Sequence, residues 1–578
     1  MDCPDEPESG TMNQTGGLHR DDMYRTGGPR FPAGFSRYNT LICWIFALLP
    51  LGVVGAAFIL PYGAALFGGF RGGTAELPFT GNAMILPVAF FTARQAALST
   101  LVALVLGLPG AWFFGSGGHR SSLLRALTGV PFALPAILVV LGFILFFGNA
   151  GWVNRFFMAL SGADEGPLRI LYKPSAIILA HGFYNFPLVI RLVGDSFAQS
   201  KRAYAPAAAS LGASDPLTAV TVLLPMAIPS VMAAALMIFL YSFTSFSIVL
   251  VLGGGPAAST LAVEIYRYAR ISLDYNAAGK LALVETAIAV TAFLGYLSFE
   301  RLNRAIVPLN MDTGTIPENK KSSPAVKGLA ILYGLAVFFL VLGPLLSIPL
   351  ESFLYKPSRS ALPRLSPRWW QSMDILIPAL GRSLLLACIA ASFACFLAVV
   401  AAAAAKNAGQ GSFLETMLRS TATVPLVSSG IVLSLGWLMV YGREQPRSIW
   451  ALALIHGVSA LPFAFNSISA GLRDISFNTL NAASVFGAGP VRRILTVELP
   501  LSARRLRSAW AFSAAISLGE LNGVLMLGME KWETLPLLIY RAVGAYHYGI
   551  ACAAGTILVI CVITAFLVSE ISFPKRIR

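Results

Sequence analysis

Few residues in this chain are suited to chemistry, and most of those lie inside apolar runs. Glu520 stands in Ser517-Leu-Gly-Glu520-Leu-Asn-Gly523, within a stretch expected to cross a membrane. A carboxylate exposed to hydrocarbon there costs on the order of 2.5 kcal/mol or more, so Glu520 should face the protein interior. It has two uses open to it: a passing contact for a cation, weak enough to release, or a hydrogen bond to a neighbouring helix, for instance through Asn522. Lys280 and Glu285 fall near one another on a second predicted span. His181 and His456, each followed by glycine, occupy equivalent places in two apolar runs. For them a hydrogen bond to a neighbouring helix carbonyl is favoured over a metal or proton relay. The lone Gly279-Lys280 lacks the preceding glycine of a nucleotide-binding loop. No metal-hydrolase or nucleophile-elbow signature occurs, and five histidines scattered over 578 residues form no cluster. The sequence therefore predicts no catalytic residue, no metal site and no cofactor on this chain. Its energy must come from a partner.

The elements that would position these residues follow from composition. Of the chain, 56% is hydrophobic and only 12% charged, with a mean hydropathy of +0.71. A soluble domain of this length needs far more charge to cover its surface. Runs of about 20 apolar residues recur, each long enough to cross a bilayer as a helix. The expected fold is an all-α polytopic membrane protein. A β-barrel would show short alternating segments instead. Spans are predicted at 41–68, 87–114, 125–147, 174–194, 229–252, 276–299, 328–350, 379–405, 421–441, 450–471, 508–528 and 548–569, about twelve helices in all. Net charge is +15, carried mostly in the connections, which fits anionic lipid headgroups and argues against nucleic acid. Five of the six cysteines (Cys43, Cys388, Cys395, Cys552, Cys561) sit in apolar runs as expected buried hydrophobes, with Cys3 in a polar stretch.

The runs fall into two direct repeats of six. His181-Gly182 and Phe186-Pro187 match His456-Gly457 and Leu461-Pro462, 275 positions on. Ile265-Tyr266-Arg267 matches Ile539-Tyr540-Arg541 at 274, and Val130-Pro131 and Leu141-Gly142 match Val424-Pro425 and Leu435-Gly436 at 294. The difference marks a longer connection between Gly142 and His181, expected outside the membrane. An even number of spans between equivalent motifs makes the repeats parallel. The expected organisation is a disordered cytoplasmic tail over 1–40, in which Met12 and Met23 offer alternative starts; a first half over 41–299; a Pro- and charge-rich linker over 300–327; a second half over 328–570; and a basic tail over 571–578. The basic linker, tail and second loop (Arg492, Arg493, Arg504, Arg505, Arg507) favour one cytoplasmic side, although Lys356, Arg359, Arg364 and Arg368 lie in a loop assigned outside.

One pattern occurs in both halves. Pro206-Ala-Ala-Ala-Ser-Leu-Gly212-Ala213 precedes Leu224-Pro225, and Asn481-Ala-Ala-Ser-Val-Phe-Gly487-Ala488 precedes Leu499-Pro500, with glycine 13 positions before proline each time. Ala207, Ala208, Ala482 and Ala483 give a short helix a face small enough to fit a partner's groove. Gly212 and Gly487 permit a left-handed exit that other residues resist. The Leu-Pro pair suits a change of chain direction before the next span.

This pattern resembles the EAA loop of ABC-importer permeases, and its duplication resembles two such subunits fused. The resemblance covers about residues 85 to 570. It implies coupling loops at about 195–228 and 472–507, with Ala207, Ala208, Leu211, Gly212, Ala213, Ala482, Ala483, Phe486, Gly487 and Ala488 in contact with an ATPase. The motif's glutamate is replaced by Pro206 and Asn481. Val251-Leu-Gly-Gly-Gly-Pro256 with Ser259-Thr-Leu-Ala-Val-Glu-Ile-Tyr266 resembles the thiamine and ferric-iron permeases, while Ile178-Leu-Ala-His181-Gly-Phe-Tyr-Asn185-Phe-Pro187 and Ser517 to Gly523 resemble the thiamine branch. The resemblance implies a permease in the bacterial inner membrane. Its partners would be two copies of a cytoplasmic ABC ATPase subunit, which bind the ATP and Mg, and an external substrate-binding protein. The implied cargo is thiamine or its phosphates, with ferric iron as the alternative. Glu520, its first-half equivalent Ser245, and Asn522 are the pathway candidates. A secondary transporter would instead concentrate charge relays in its spans, and a membrane enzyme would need an interfacial His/Asp/Glu cluster.

Overall fold

The computed structural model describes residues 33–68, 85–115, 134–253, 255, 258–306, 324–355, 364–409, 411–442, 448–529 and 532–570. Almost all of them are helical, as expected where lipid offers no partner to a free backbone amide. The strands among them are Leu354–Tyr355 and Arg364–Leu365, paired antiparallel with Leu354 opposite Leu365. Ten described helices are long and apolar enough to cross a membrane, and a pair bent by 103°, Phe413–Val427 with Gly430–Tyr441, is either an eleventh, broken span or a re-entrant loop. This is a polytopic all-α membrane protein.

Several predicted elements differ in detail. The predicted span 229–252 divides into Leu224–Phe243 and Ser247–Leu252, and 508–528 divides into Ala503–Gly519 and Asn522–Leu527. In the first break the Thr244 hydroxyl turns back to the Leu240 carbonyl. In the second, Glu520 leaves the helix with extended angles. A hydropathy window runs straight across such breaks, because the residues around them are as apolar as those of a continuous span. The predicted span 421–441 is the bent pair. Its counterpart at 125–147 is described from 134 onward, with the helix Ala136–Phe147 followed by a separate helix Trp152–Ser161. Of the predicted N-terminal tail, residues 33–40 are instead helical, inside Ala33–Val54. Residues 307–323 of the linker and the basic tail 571–578 lie outside the described residues, as do Met12 and Met23. Cys395 and Cys552 are buried as expected and Cys561 is half-buried, but Cys388 is exposed on the apolar surface of its span.

The first helix of each half packs on the other half. Ala33–Val54 lies against Met373–Ala408, Leu60–Gly68 against Gly430–Tyr441, and Pro324–Ser352 against Ala136–Phe147. Proline explains part of the exchange. Pro61 has no N–H, which frees the Ala57 carbonyl four residues earlier, and a π-helical turn, Gly55–Ile59, forms there. The other half supplies the missing donors: Trp437 Nε1 donates to Ala57 O at 2.8 Å and Tyr441 Oη to Ala56 O at 3.0 Å. The contact also requires glycine. A Cβ on Gly436 would sit 1.9 Å from the Pro61 carbonyl oxygen, and one on Gly142 would sit 2.7 Å from that of Pro344. These are the Leu-Gly pairs that recur at 294, so the repeat preserves a helix crossing.

Hydroxyl caps repeat in the same way. Thr92 Oγ1 accepts from Leu261 N–H at 3.0 Å, and Ser383 Oγ accepts from Leu535 N–H at 2.8 Å. Each hydroxyl satisfies an orphan amide at the start of an equivalent helix, Leu261–Arg270 or Leu535–Gly544.

Candidate functional site

Both copies of the doubled pattern close a helix in the same way. In the first, Ala213 N–H donates to Ala208 O and Gly212 N–H to Ala209 O, each at 3.0 Å; in the second, Ala488 N–H donates to Ala483 O and Gly487 N–H to Ser484 O, again at 3.0 Å. This is the Schellman arrangement, with glycine in the left-handed position. Gly212 has φ +80° and Gly487 has φ +79°. Both caps form with Pro206 and Asn481 at the place of the motif glutamate.

The residues before each glycine are the least covered apolar side chains of the region. Leu211 is 87% exposed, Phe486 88% and Val485 84%. Ala207 and Ala482 are exposed beside them, while Ala208, Ala213, Ala483 and Ala488 are half-buried. Each loop thus presents a small-residue helix ending in an apolar tip that no described residue covers. The approach to the two tips differs. In the first half one unbroken helix, Pro174–Ser210, runs from the span into the loop. In the second, Ile449–Arg473 ends and a new helix, Phe477–Val485, begins with Ser476 accepting from Thr479 N–H.

The Leu-Pro pairs do not mark the change of direction predicted for them. The chain turns at the glycines, and Leu224-Pro225 lies within helix just after a π-helical turn, Ala219–Leu223. Leu499-Pro500 follows the equivalent turn, Ile494–Glu498. Each proline lacks the N–H that would bond four residues back, so the helix widens there.

Ser245 and Glu520 fall in the two helix breaks, which are equivalent places in the repeat. Glu520 is half-buried, and its Oε1 accepts from the Asn522 N–H at 2.9 Å. The bond therefore closes on the backbone at the start of the next short helix, where a carboxylate also meets the positive end of the helix dipole. It does not reach a neighbouring helix through the Asn522 side chain, as the sequence suggested. That side chain lies against Gly430, and Gly519 lies against Pro135 of the first half. Gly519 thus places the break at Glu520 against the first half, while the Asn522 side chain meets a helix of its own half.

Lys280 and Glu285 are not joined by an ion pair among the described residues. They lie five apart on one helix, on different faces. Glu285 is instead buried beside the Ser429 hydroxyl of the second half. Next to it, Thr286 bonds Tyr62 at 2.8 Å. Nothing in the sequence pairs Glu285 with Ser429, because that contact spans both repeats.

The histidines also depart from expectation. His456 Nδ1 shares a 2.9 Å hydrogen bond with the Ser517 hydroxyl, not with a carbonyl. In the first half the equivalent hydroxyl, Ser242 Oγ, accepts from Asn185 at 3.2 Å, and both ring nitrogens of His181 are buried without a partner among the described residues. Among those residues no group of three His, Cys, Asp or Glu could hold a metal ion.

Comparison with known proteins agrees with this architecture. Residues 99–310 match the family described as "Binding-protein-dependent transport system inner membrane component". Over most of its length the chain is similar to multi-pass inner-membrane permease subunits of ABC importers, and the family match falls on the first repeat and the linker. Such permeases work with an ATPase and a substrate-binding protein, and they are transport subunits, not enzymes. Within that class, the chain is 27% identical to the thiamine transport system permease protein ThiP of Haemophilus influenzae, covering 89% of this chain and 95% of that one. It is 26% identical to ThiP of Brucella abortus (strain 2308), over 85% and 88%. The spermidine/putrescine transport system permease protein PotB of Escherichia coli is 27% identical over 37% of this chain and 79% of its own.

Proposed function

We propose that this chain forms the transmembrane pathway of an ATP-driven importer for thiamine or its phosphates. Two copies of an ATPase subunit dock on the matched loops, with Leu211 and Phe486 seated in grooves and the alanines of each helix lying close against the partner. A binding protein delivers substrate from outside. ATP binding closes the ATPase pair, the two loops move with it, and rigid-body rocking of the helices opens the pathway outward. Glu520, Ser245 and Asn522 lie along that pathway, where one carboxylate gives a cation a brief contact. The observation that carries this reading is the duplicated cap: two uncovered apolar tips of one shape, as a pair of identical partners requires. The thiamine assignment is supported by the two ThiP relatives, similar over most of the chain.

The test is reconstitution of the chain in proteoliposomes with its ATPase and its binding protein. ATP-dependent uptake of thiamine is expected. Uptake of ferric iron without thiamine would reverse the substrate, and failure of any ATPase to bind would remove the loop assignment.

A further inference from the structure

The second loop is tied to the membrane helices by a buried charge network. Glu498 closes the π-helical turn Ile494–Glu498 and has no exposed surface. Its Oε2 accepts from Lys406 Nζ at 2.7 Å and its Oε1 from Arg493 Nε at 2.9 Å. Lys406 Nζ also donates to the Leu472 carbonyl at 2.8 Å, and Arg493 Nη2 to Asn407 Oδ1 at 2.8 Å. The network joins the end of Met373–Ala408, the end of Ile449–Arg473, the short helix Pro490–Arg493 and the π-helical turn.

The first half does not carry the residues of this network at the equivalent described positions. At the positions equivalent to Glu498 and Arg493 it carries Leu223 and Thr218. The register of the preceding span is set by two matched pairs: Thr92 with Ser383 as caps, and Val102 with Phe393, which meet Gly182 and Gly457. In that register Lys406 corresponds to Gly115. The first loop has another connection in its place, the unbroken helix Pro174–Ser210. The second loop lacks that continuity, because Asp474 to Ser476 separate its helix from the span before it.

Burying a carboxylate costs several kcal/mol, and complete pairing rarely returns more than an apolar replacement would. A network of this kind is therefore better explained by the geometry it imposes than by stability. We propose that Glu498, held by Lys406 and Arg493, is a positioning residue that transmits movement of the second loop to the span Met373–Ala408, while the first loop transmits along its own helix. The proposal rests on the reading that both loops dock an ATPase.

The test uses the full complex in proteoliposomes. A triple variant, Lys406→Met, Arg493→Thr and Glu498→Leu, removes every charge at once, and the last two changes give the second loop the residues of the first, a change that need not destabilise the fold. Its ATPase should still copurify and hydrolyse ATP, while substrate moved per ATP falls about fivefold or more, the low end of ordinary coupling energies. A purely structural role would lower assembly, ATPase and uptake together. Unchanged uptake per ATP in an assembled triple variant overturns the proposal. Should the triple variant not assemble, Glu498→Gln and Lys406→Arg decide: coupling lost with glutamine but kept with arginine supports it, and equal coupling in both overturns it. If no ATPase binds the wild-type chain, the loop assignment fails, and that result is distinct from either.

Discussion

Gly487 offers a measurement of what the loop's shape contributes to coupling. At φ +79° a Cβ would meet no atom within 4 Å, so an alanine there clashes with nothing beyond its own backbone. Its cost is the left-handed conformation alone, about 1–2 kcal/mol for an ordinary residue. A loop that relaxes to avoid this strain leaves the docking geometry, and affinity falls by the fraction still competent. For about 1–2 kcal/mol that is about 5–30-fold. Asparagine adopts the left-handed region far more readily than alanine, so Gly487→Asn should lose much less, although it adds more atoms than alanine. The same order is expected at Gly212, where φ is +80° and the space is equally open. Titration of purified ATPase onto nanodisc-embedded variants, with uptake measured in parallel, reads both affinity and coupling. The order glycine, asparagine, alanine, valine supports a conformational requirement. Asparagine as damaging as valine would refute it, because bulk on the docking surface would then be the cause.

Three further perturbations test other parts of the structure. Gly436→Ala places a carbon 1.9 Å from the Pro61 carbonyl and should cost about 1–3 kcal/mol as the helices part; Gly142→Ala should cost less, and Gly381→Ala, in open space, should cost nothing, an order readable by thermal unfolding. Asn154 is fully buried and makes three hydrogen bonds, to Gly148 O, Leu168 O and Leu168 N–H. Asn154→Ala should therefore loosen the connection that is longer in the first half, exposing residues 162–173 to protease while coupling at the opposite face is unchanged. Glu520→Gln keeps an acceptor for the Asn522 amide but removes the charge, so uptake should fall while assembly and ATPase activity persist; uptake equal to wild type would leave Glu520 as a cap alone.

Legibility in the sequence followed the range of the interaction. The Schellman caps were readable because a left-handed glycine and the bonds that fix it lie within six residues, from Ala208 to Ala213. The repeats were readable because spacing survives duplication. The exchange of first helices was not, since the Pro61 carbonyl meets Gly436 across more than 370 positions and leaves only two Leu-Gly pairs as a trace. The breaks at Ser245 and Glu520 were hidden by apolar flanks that a hydropathy average cannot resolve. The surroundings of Glu285 were unreadable because Ser429, beside it, belongs to the other repeat. Glu498 is inconspicuous in the sequence because it sits next to the Leu-Pro pair in a basic loop, where a lone acid reads as solvated surface.

What is shared between the halves and what is not fall into different classes. The shared features are geometric: left-handed glycines at 212 and 487, hydroxyl caps at Thr92 and Ser383, and glycines where a foreign helix crosses. Several unshared ones carry charge: Glu498 against Leu223, Glu520 against Ser245, and buried Glu264 against Leu538. A pair of identical subunits would have to place every such charge twice about its axis. Where such a charge lay on that axis, two carboxylates would face each other, and each would raise the cost of burying the other. Fusion removes that constraint. One polypeptide can hold a single Glu520 at the contact between halves and a single charge network under one loop, while both loops keep the same glycine-closed cap. The asymmetry is one that joining the halves permits, and it lies at the contact between them and beneath the second loop.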